Sequence, residues 1–591
     1  MVSVDGDDVR PDGRCHDPLR LRGHERVGSR QDVGPAARFR RCAAPLPSQR
    51  GDALRPLRPL QVVAYRFLLG RVRRRDEQVD VQGAQPRAGA EEDSVEGGDS
   101  RFLSGLEWIV NGYTLSFAVL LAVGGRLGDI FGRRRMFIFG VIVFTLASTT
   151  GGFAPDNFSL VASRVLQGVG AAFMMPGTLS IITNAFPPAE RGKAIGTWAG
   201  VSALALAIGP VLGGFLTEQV SWRAIFFINL PVGVVAVAAA LLFVKESRDY
   251  TVGRDVDVLG VSVLTLSLTG FVLALIEGNS WGWGSPAILA LVAASVVLFI
   301  AFIFIEQRVK APIIEFGLFR SRNFIGAVTV AFIITFSMMG VFFFLALYMQ
   351  NILGYSALEA GVRFLPTTLV IMVLSPLSGR LSDRIGPRWP IVGGMILITI
   401  SLYIFSTIEV GDTFSHILPP FILLGAGIGL TMSPMSTAAM NAVTKTKAGV
   451  ASGVLSMFRM VGGTFGVAAL GALFQNQAKV SLDDSLSGLG ITASQRTDLA
   501  HQLTGGVPHV DGVSQAQAAK LSVAGHDAFV YGFSHAMTLS VGVAAFGILI
   551  AFLLIRGHGE SLDEEIIPAG RETAAPERDD APANEVGVPV A

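Results

Sequence analysis

The amino-acid sequence predicts an all-α polytopic membrane protein, on the basis of three observations. Half of its 591 residues are hydrophobic and only 16% are charged, whereas soluble domains carry about 25% charged residues. The apolar residues are gathered into segments of about 20 residues, which is the length that a helix needs to cross a bilayer. The alternating pattern of a β-barrel is absent, and backbone groups in lipid must be satisfied within each segment, so every segment is predicted to be a helix.

Thirteen apolar segments are visible along the chain, and we predict thirteen membrane spans from them. A long polar connection, 475–534, precedes the last segment. The segments lie near residues 107–127, 136–154, 158–184, 193–217, 224–244, 258–276, 286–306, 324–350, 360–379, 390–408, 416–440, 448–474 and 535–556.

Basic residues fall in alternate connections between the predicted spans. The intervening connections 155–157, 277–285 and 409–415 contain neither Lys nor Arg. Because short basic connections stay on the cytoplasmic side, we predict a multi-pass protein of the cell (plasma) inner membrane with a cytoplasmic C-terminus and an outward-facing 475–534 connection. The basic connections carry Arg133, Arg134, Arg135, Arg191, Lys193, Lys245, Arg248, Arg254, Arg308, Lys310, Arg320, Arg322, Arg380, Arg384, Arg388, Lys445 and Lys447.

The N-terminal segment differs in composition from the apolar middle of the chain. Residues 1–101 hold 19 arginines and no lysine. The predicted orientation puts this segment outside the cell, against the positive-inside rule, and an odd number of spans does not suit a fold of paired repeats. Our hypothesis is that one spanning helix is missing and that 1–101 is a mistranslated or wrongly started segment. The alternative is a genuine disordered basic arm.

An internal repeat links two connections of the chain. The stretches 125–135 and 379–389 share six of eleven residues, at an offset of 254. Parallel repeats of this kind occur in transporters built from two bundles. A glycine such as Gly125 allows close helix approach, and Asp129 can face a neighbouring helix N-terminus, where negative charge is stabilised. The candidate hinge-loop residues are Gly125, Asp129, Gly132, Arg133, Arg134, Gly379, Asp383, Gly386 and Arg388.

The pattern G-x-L-x-D-x-x-G-R-R in the first stretch resembles the signature of the major facilitator superfamily, and the second stretch resembles its counterpart in the C-terminal bundle. Ile130 replaces an arginine that is common in the family. The resemblance implies a major facilitator fold in which two six-helix bundles rock about a central site.

A charged residue lies inside the span 158–184. Such residues are costly in lipid and are functional candidates. Arg164, Gln167 and Gly168 resemble the family's R-x-x-Q-G pattern, whose arginine is implicated there in proton coupling. The alternative is a structural arginine bonded to carbonyl groups across the bundle. Arg459 also lies well inside its span and is a second candidate.

A further resemblance points to export. Gly209, Pro210, Gly213 and Gly214 resemble the antiporter motif G-P-x-x-G-G of drug exporters, and the string 222–233 resembles the 14-span drug:proton antiporters. Small-residue packing against another helix is expected at these glycines as well. The resemblance covers roughly residues 102–556. The family's first helix carries an acidic residue in a D-x-T-x-x-N-x-A-L-P pattern, which is not found here.

The family's fourteen spans equal the thirteen visible ones plus one. The resemblance thus implies two extra spans between the bundles. The predicted regions are 1–101, the N-terminal bundle 102–250 with five visible spans, the central spans 251–310, the C-terminal bundle 311–556 and a disordered acidic cytoplasmic tail 557–591.

The predicted function is proton-coupled efflux of small amphipathic compounds, such as drugs or antibiotics, by alternating access. The proton motive force would drive it, without a cofactor; the partners would be substrate, protons and the lipid bilayer. No phosphate-binding G-x-x-x-x-G-K-[ST] loop, Cys/His metal spacing or enzyme-like cluster is present, which disfavours ATP hydrolysis and enzymatic activity. Nucleic acid and ATP are not expected as partners. The alternative is an importer of a nutrient or organic acid.

Overall fold

A computed structural model describes residues 92–249, 256–309, 312–486 and 515–557. Within these ranges the regular structure is helical. The segment before Glu92 and most of the predicted acidic tail lie outside the described residues. The predictions made for those two segments therefore stay predictions.

Fifteen α-helices occur in the described ranges, and two short 3-10 turns lie at Phe316–Arg320 and Lys445–Lys447. The helices are α1 (Glu92–Phe131), α2 (Arg133–Gly152), α3 (Asn157–Ala185), α4 (Pro188–Gln219), α5 (Ala224–Phe227), α6 (Asn229–Phe243), α7 (Val258–Trp281), α8 (Pro286–Glu306), α9 (Arg322–Asn351), α10 (Ala357–Arg363), α11 (Leu365–Ile385), α12 (Arg388–Ser406), α13 (Phe414–Asn441), α14 (Ala448–Leu486) and α15 (Gln515–Leu554).

Thirteen stretches of the described helices are long and apolar enough to cross a membrane, which confirms the predicted spans. Helix α5 combines with α6, and α10 with α11, to form one span each. Ser356 caps the start of α10, because its hydroxyl accepts the amide proton of Glu359 at 3.2 Å.

The segment predicted as a long outward connection is partly helical. Helix α14 continues to Leu486 and α15 starts at Gln515, both inside 475–534. The predicted extent of the connection was wrong because the extension of α14 is amphipathic: Ala478, Leu482 and Leu486 are buried at four-residue spacing, and the polar residues Asp483, Asp484 and Ser485 lie between them. A search for continuously apolar segments does not detect such a helix. Helix α1 likewise begins at Glu92, before the predicted boundary at residue 101.

Within the described ranges, the C-terminal half contains a helix, α9, that has no equivalent in the N-terminal half. In the C-terminal half, α9 packs against α13, α14 and α15. By the internal repeat, α13 corresponds to α3, α14 to α4 and α15 to the α5–α6 span. No helix in the described ranges of the N-terminal half corresponds to α9. This is the position in which the hypothesis of a missing span would put a helix. Helices α7 and α8 pack on each other, and α7 also contacts α1 and α14.

Two pairs of helices join the halves. Helix α1 packs against α14, and α4 packs against α11, with further contacts of α3 with α14 and α4 with α13. The closest contacts lie at the end of the molecule that carries the arginine-rich connections. We call this end the basic end; the connections α1–α2, α3–α4, α11–α12 and α13–α14 lie there.

Candidate functional site: two hinge loops and a buried arginine

The first hinge loop joins α1 to α2 through Gly132. This residue has a φ of 111°, which favours glycine because a side chain is strained there. Three residues earlier, the fully buried Asp129 accepts the amide protons of Gly449 at 2.9 Å and Val450 at 2.8 Å. These amides belong to the first turn of α14, where helix N–H groups have no intrahelical partner and negative charge is favoured. Asp129 therefore ties the N-terminal half to the C-terminal half at a helix end.

Arg133 completes this contact. Its side chain is only 1% exposed, and its Nε donates to the carboxylate of Asp129 at 2.9 Å. The same guanidinium donates to the carbonyl oxygens of Lys445 at 2.8 Å and Thr446 at 2.7 Å. A buried ion pair is tolerated when hydrogen bonds satisfy both ions. The role of Arg133 therefore extends beyond anchoring the connection on one side of the membrane.

Two glycines allow the helices to meet at this point. A Cβ added to Gly125 would lie 2.3 Å from the carbonyl oxygen of Gly449, and one added to Gly449 would lie 2.4 Å from that of Gly125. Any side chain at either position would force the two backbones apart. The sequence predicted close approach at Gly125 but not which residue it approaches.

The second hinge loop forms the same kind of contact between α11 and α4. Gly386 ends α11 with a φ of 82°. Asp383 accepts the amide protons of Gly192 at 2.9 Å and Lys193 at 2.8 Å on α4. A Cβ on Gly379 would lie 2.0 Å from the carbonyl oxygen of Gly192. Each hinge-loop aspartate thus bonds two successive amides of the opposite half, beside a contact between two glycines.

The arginines of the two loops differ. Arg134 donates from its side chain to the carbonyl of Val244 at 3.1 Å, within its own half. Its equivalent, Arg388, lies 4.3 Å from the ring centroid of Phe552 and so also contacts its own half. The residue equivalent to Arg133 is Pro387. Of these hinge-loop arginines, Arg133 forms hydrogen bonds across the halves.

Glu246 is a residue that the sequence analysis missed. Its carboxylate accepts the amide protons of Arg134 and Arg135, each at 3.1 Å, and so caps the start of α2. The connection after α6 therefore holds the first hinge loop, because Asp249 also donates its amide proton to the carbonyl of Asp129 at 2.9 Å. An acidic residue between the basic residues Lys245 and Arg248 could have drawn attention to Glu246, but the sequence does not show which helix start this residue caps.

The three candidate residues of α3 lie together against α1. The Nε of Arg164 donates to the carbonyl of Ile109 at 3.0 Å, and its guanidinium lies 4.3 Å from the ring centroid of Tyr113. A hydrogen bond joins Arg164 to the side chain of Gln167. A Cβ on Gly168 would lie 2.0 Å from the hydroxyl oxygen of Ser116. In the described ranges these hydrogen-bond and ring partners of Arg164 are uncharged.

The export-motif glycines do not pack as expected. Backbone-close packing against another helix was expected at Gly209 and Gly213, yet no atom of a neighbouring described residue lies within 4 Å of an added Cβ at either one. Gly214 is buried, and Pro210 lies within α4. The physical reason is that α4 meets α11 nearer the basic end.

The packing glycines of α4 are three others at four-residue spacing, Gly192, Gly196 and Gly200. A Cβ on Gly196 would lie 2.6 Å from the carbonyl of Ser375, and one on Gly200 would lie 2.9 Å from that of Met372. Spacing by four places all three on one face of the helix. Their four-residue spacing is visible in the sequence and is the signal that could have predicted this packing face.

The described residues also bear on metal binding. They contain no group of three or more His, Cys, Asp or Glu side chains that could hold a metal ion.

Comparisons with known proteins place the chain in a family. The model of the Major Facilitator Superfamily matches residues 102–467. The chain is 33% identical to a tetracenomycin C resistance and export protein of Streptomyces glaucescens over 80% of this chain and 88% of that protein. It is 35% identical to a puromycin resistance protein of Streptomyces alboniger over 78% of this chain and 85% of that protein.

A solved structure shows the same fold. The crystal structure of the human organic anion transporter MFSD10 matches with a TM-score of 0.50 and 13% identity. The match covers 76% of this chain and 85% of that protein. At this identity the likeness supports the fold alone.

Proposed function

The chain belongs to the Major Facilitator Superfamily, and from this membership we propose that it exports small amphipathic compounds, such as drugs or antibiotics, in exchange for protons. The observation that carries the proposal is the similarity, over about four-fifths of the chain, to proteins named for antibiotic resistance and export. The family predicted from the sequence, which includes multidrug-resistance transporters, is confirmed by these relatives.

The geometry supports alternating access. Asp129 and Asp383 each hold backbone amides of the opposite half at the basic end. The positive-inside rule assigns the basic end, and with it the C-terminus, to the cytoplasm. The halves are then closed on the cytoplasmic side. To receive substrate from the cell, both aspartates must release these amides while the glycine contacts part, as in a rocking motion of two bundles about a central site.

Arg164 is our candidate for proton coupling. A positive charge held inside a span stabilises the ionised form of any acid that approaches it. The hydrogen bonds to Ile109 and Gln167 fix the guanidinium in place. One proton that moves across 100 mV supplies about 2.3 kcal/mol, which supports roughly a fiftyfold gradient of an uncharged substrate per proton.

Dye efflux tests this proposal. Cells that express the chain are loaded with ethidium, and efflux is followed with and without a protonophore. We expect efflux that stops when the protonophore is added, and at least a tenfold loss in Arg164→Gln. Arg308→Gln removes an exposed arginine after α8 and serves as the control with unchanged efflux.

Two results would contradict the proposal. Efflux that persists with the protonophore would exclude proton coupling. Energy-dependent accumulation of a nutrient or organic acid, with no efflux of any tested amphipathic dye, would favour the importer.

A further inference from the structure

Arg459 lies deep inside the molecule. It is the twelfth residue of α14, which begins at Ala448 at the basic end. At a rise of 1.5 Å per residue it lies about 16 Å from the helix start, close to the centre of a hydrocarbon core of about 30 Å. A charged side chain at this depth costs about 3 kcal/mol on insertion scales.

Contacts on either side place Arg459 between the halves. Two turns before it, the hydroxyl of Ser452 donates to the carbonyl of Pro176 in the N-terminal half at 2.9 Å. One turn after it, a Cβ on Gly462 would lie 2.5 Å from the carbonyl of Phe332 in the C-terminal half. Residues seven apart share a helix face, so Arg459 lies on the face of α14 that Ser452 turns towards the N-terminal half.

Arg459 is partly buried and has no hydrogen bond, ion pair or ring contact in the described part of the chain. Arg164, which lies inside another span, has a carbonyl, an amide side chain and an aromatic ring as partners. The contrast matters because a charged side chain inside a span is costly when it has no partner. A cation in this setting suggests a partner from outside the described part of the chain.

The carboxylates on neighbouring helices are not placed to neutralise Arg459. Asp129 bonds the amides of Gly449 and Val450, about 14 Å along α14 from Arg459 at 1.5 Å per residue. Glu277 lies near the end of α7, nineteen residues after Val258 at the helix start, and so about 12 Å farther from the basic end than Arg459.

An aromatic surface lies within the next two turns of α14. The ring of Phe465 is 38% exposed, and its centroid lies 6.0 Å from that of Phe332 and 6.1 Å from that of Phe336. Phe465 follows Arg459 by six residues, which is about 9 Å along the helix axis and about 120° around it. The cation and the exposed aromatic cluster thus lie on adjoining faces of α14, which suits a molecule with one acidic group and an apolar, aromatic body.

We propose that Arg459 binds the carboxylate, sulfonate or phenolate group of an amphipathic anionic substrate whose apolar body lies against the Phe465 cluster. This inference rests on the proposed function, since it adds amphipathic anions to the compounds that the same transporter exports. Bidentate pairing to a planar acidic group is the interaction for which a guanidinium is best suited.

The test is a binding measurement on the purified full-length protein in detergent. Fluorescence anisotropy gives the Kd for carboxyfluorescein, an aromatic anion, and for ethidium, an aromatic cation. We expect Arg459→Gln to raise the Kd for carboxyfluorescein at least tenfold and to change that for ethidium less than twofold. Arg459→Lys keeps the charge but loses the planar guanidinium. Its Kd for carboxyfluorescein should therefore lie between that of the unaltered protein and that of Arg459→Gln.

The controls separate this idea from its rivals. Arg308→Gln should leave both Kd values unchanged, and thermal unfolding of each variant checks that it folds. If Arg459→Gln weakens the binding of both probes equally, the residue has a structural role. If the variant leaves the Kd for carboxyfluorescein unchanged, or if the unaltered protein does not bind carboxyfluorescein, Arg459 is not part of an anion site. Each of these results overturns the inference. The measurement needs no proton gradient, so failure of dye efflux would contradict the proposed function without deciding this test.

Discussion

At the scale of single residues, the most constrained part of the molecule is the pair Asp129 and Arg133. Both side chains are almost fully removed from solvent, with exposed fractions of 0% and 1%. Burying two charges is costly, and the cost is offset by two backbone amides on the carboxylate and two carbonyls on the guanidinium. All four groups come from the loop before α14 and its first turn. The pair is therefore stable only while the halves are closed at the basic end.

We predict a strong coupling between these two residues. Asp129→Asn leaves Arg133 buried without its counter-ion, and Arg133→Met leaves Asp129 in the same condition, so each should destabilise the closed protein by about 3–5 kcal/mol. The double variant removes both charges and should lose clearly less than the sum of the single losses. Thermal unfolding of the purified proteins in detergent measures this cycle. Additive losses would show that the ion pair is not the stabilising element of the contact.

At the scale of elements, α4 carries two sets of glycines with different surroundings. Gly192, Gly196 and Gly200 meet the backbone of α11. Gly209 and Gly213 have open space where a side chain would lie. The same helix is thus fixed against the C-terminal half near the basic end and open to small additions farther along. From the sequence, both sets of glycines are equally good candidates for close helix packing, because the glycine spacing does not show where two helices diverge.

We predict opposite effects for one added methyl group in the two sets. Gly196→Ala would bring its Cβ to 2.6 Å from the carbonyl of Ser375, an overpacking that should cost about 1–3 kcal/mol. Gly209→Ala meets nothing within 4 Å and should gain roughly 0.5–1 kcal/mol from the lower flexibility of alanine in a helix. Melting temperatures in detergent distinguish the two. A loss of stability in Gly209→Ala would mean that a further segment covers this part of α4.

Much of the fold could be predicted because lipid imposes a length on every span. Hydropathy alone located all thirteen described spans, and the repeat identified both hinge loops. What sequence could not supply were partners far along the chain, such as Gly449 for Asp129 and Gly192 for Asp383. Glu246 was missed for the same reason. The amphipathic end of α14 was not predicted for a different reason: the polar residues Asp483, Asp484 and Ser485 separate its buried Leu482 and Leu486, so the segment is not continuously apolar.

At the scale of the whole molecule, the two inter-half contacts form one closure. Each consists of an aspartate in a hinge loop, two amides of a helix in the opposite half and two glycines in contact. Both lie at the basic end, on the two helix pairs α1–α14 and α4–α11. Rigid-body rocking of the halves must therefore break both contacts together, because neither helix pair can part while the other stays closed.

A covalent link across this closure should stop transport. Asn184 at the end of α3 donates to the carbonyl of Lys445 in the other half at 3.5 Å, so cysteines at these two positions can be joined by a short, reducible bifunctional reagent. Cys15 and Cys42 are first replaced by serine so that no other thiol reacts. We expect dye efflux to fall to the background level after the reagent is added and to return after reduction.

The matched control joins two positions of the C-terminal half at the same end. Asn323 and Arg556 are in contact there, since the amide of Arg556 donates to the side chain of Asn323 at 2.7 Å. A link between cysteines at these positions spans helices that move together in a rocking mechanism, and efflux should continue. If the link between residues 184 and 445 also leaves efflux intact, the halves do not part at the basic end, and the route for substrate must open elsewhere.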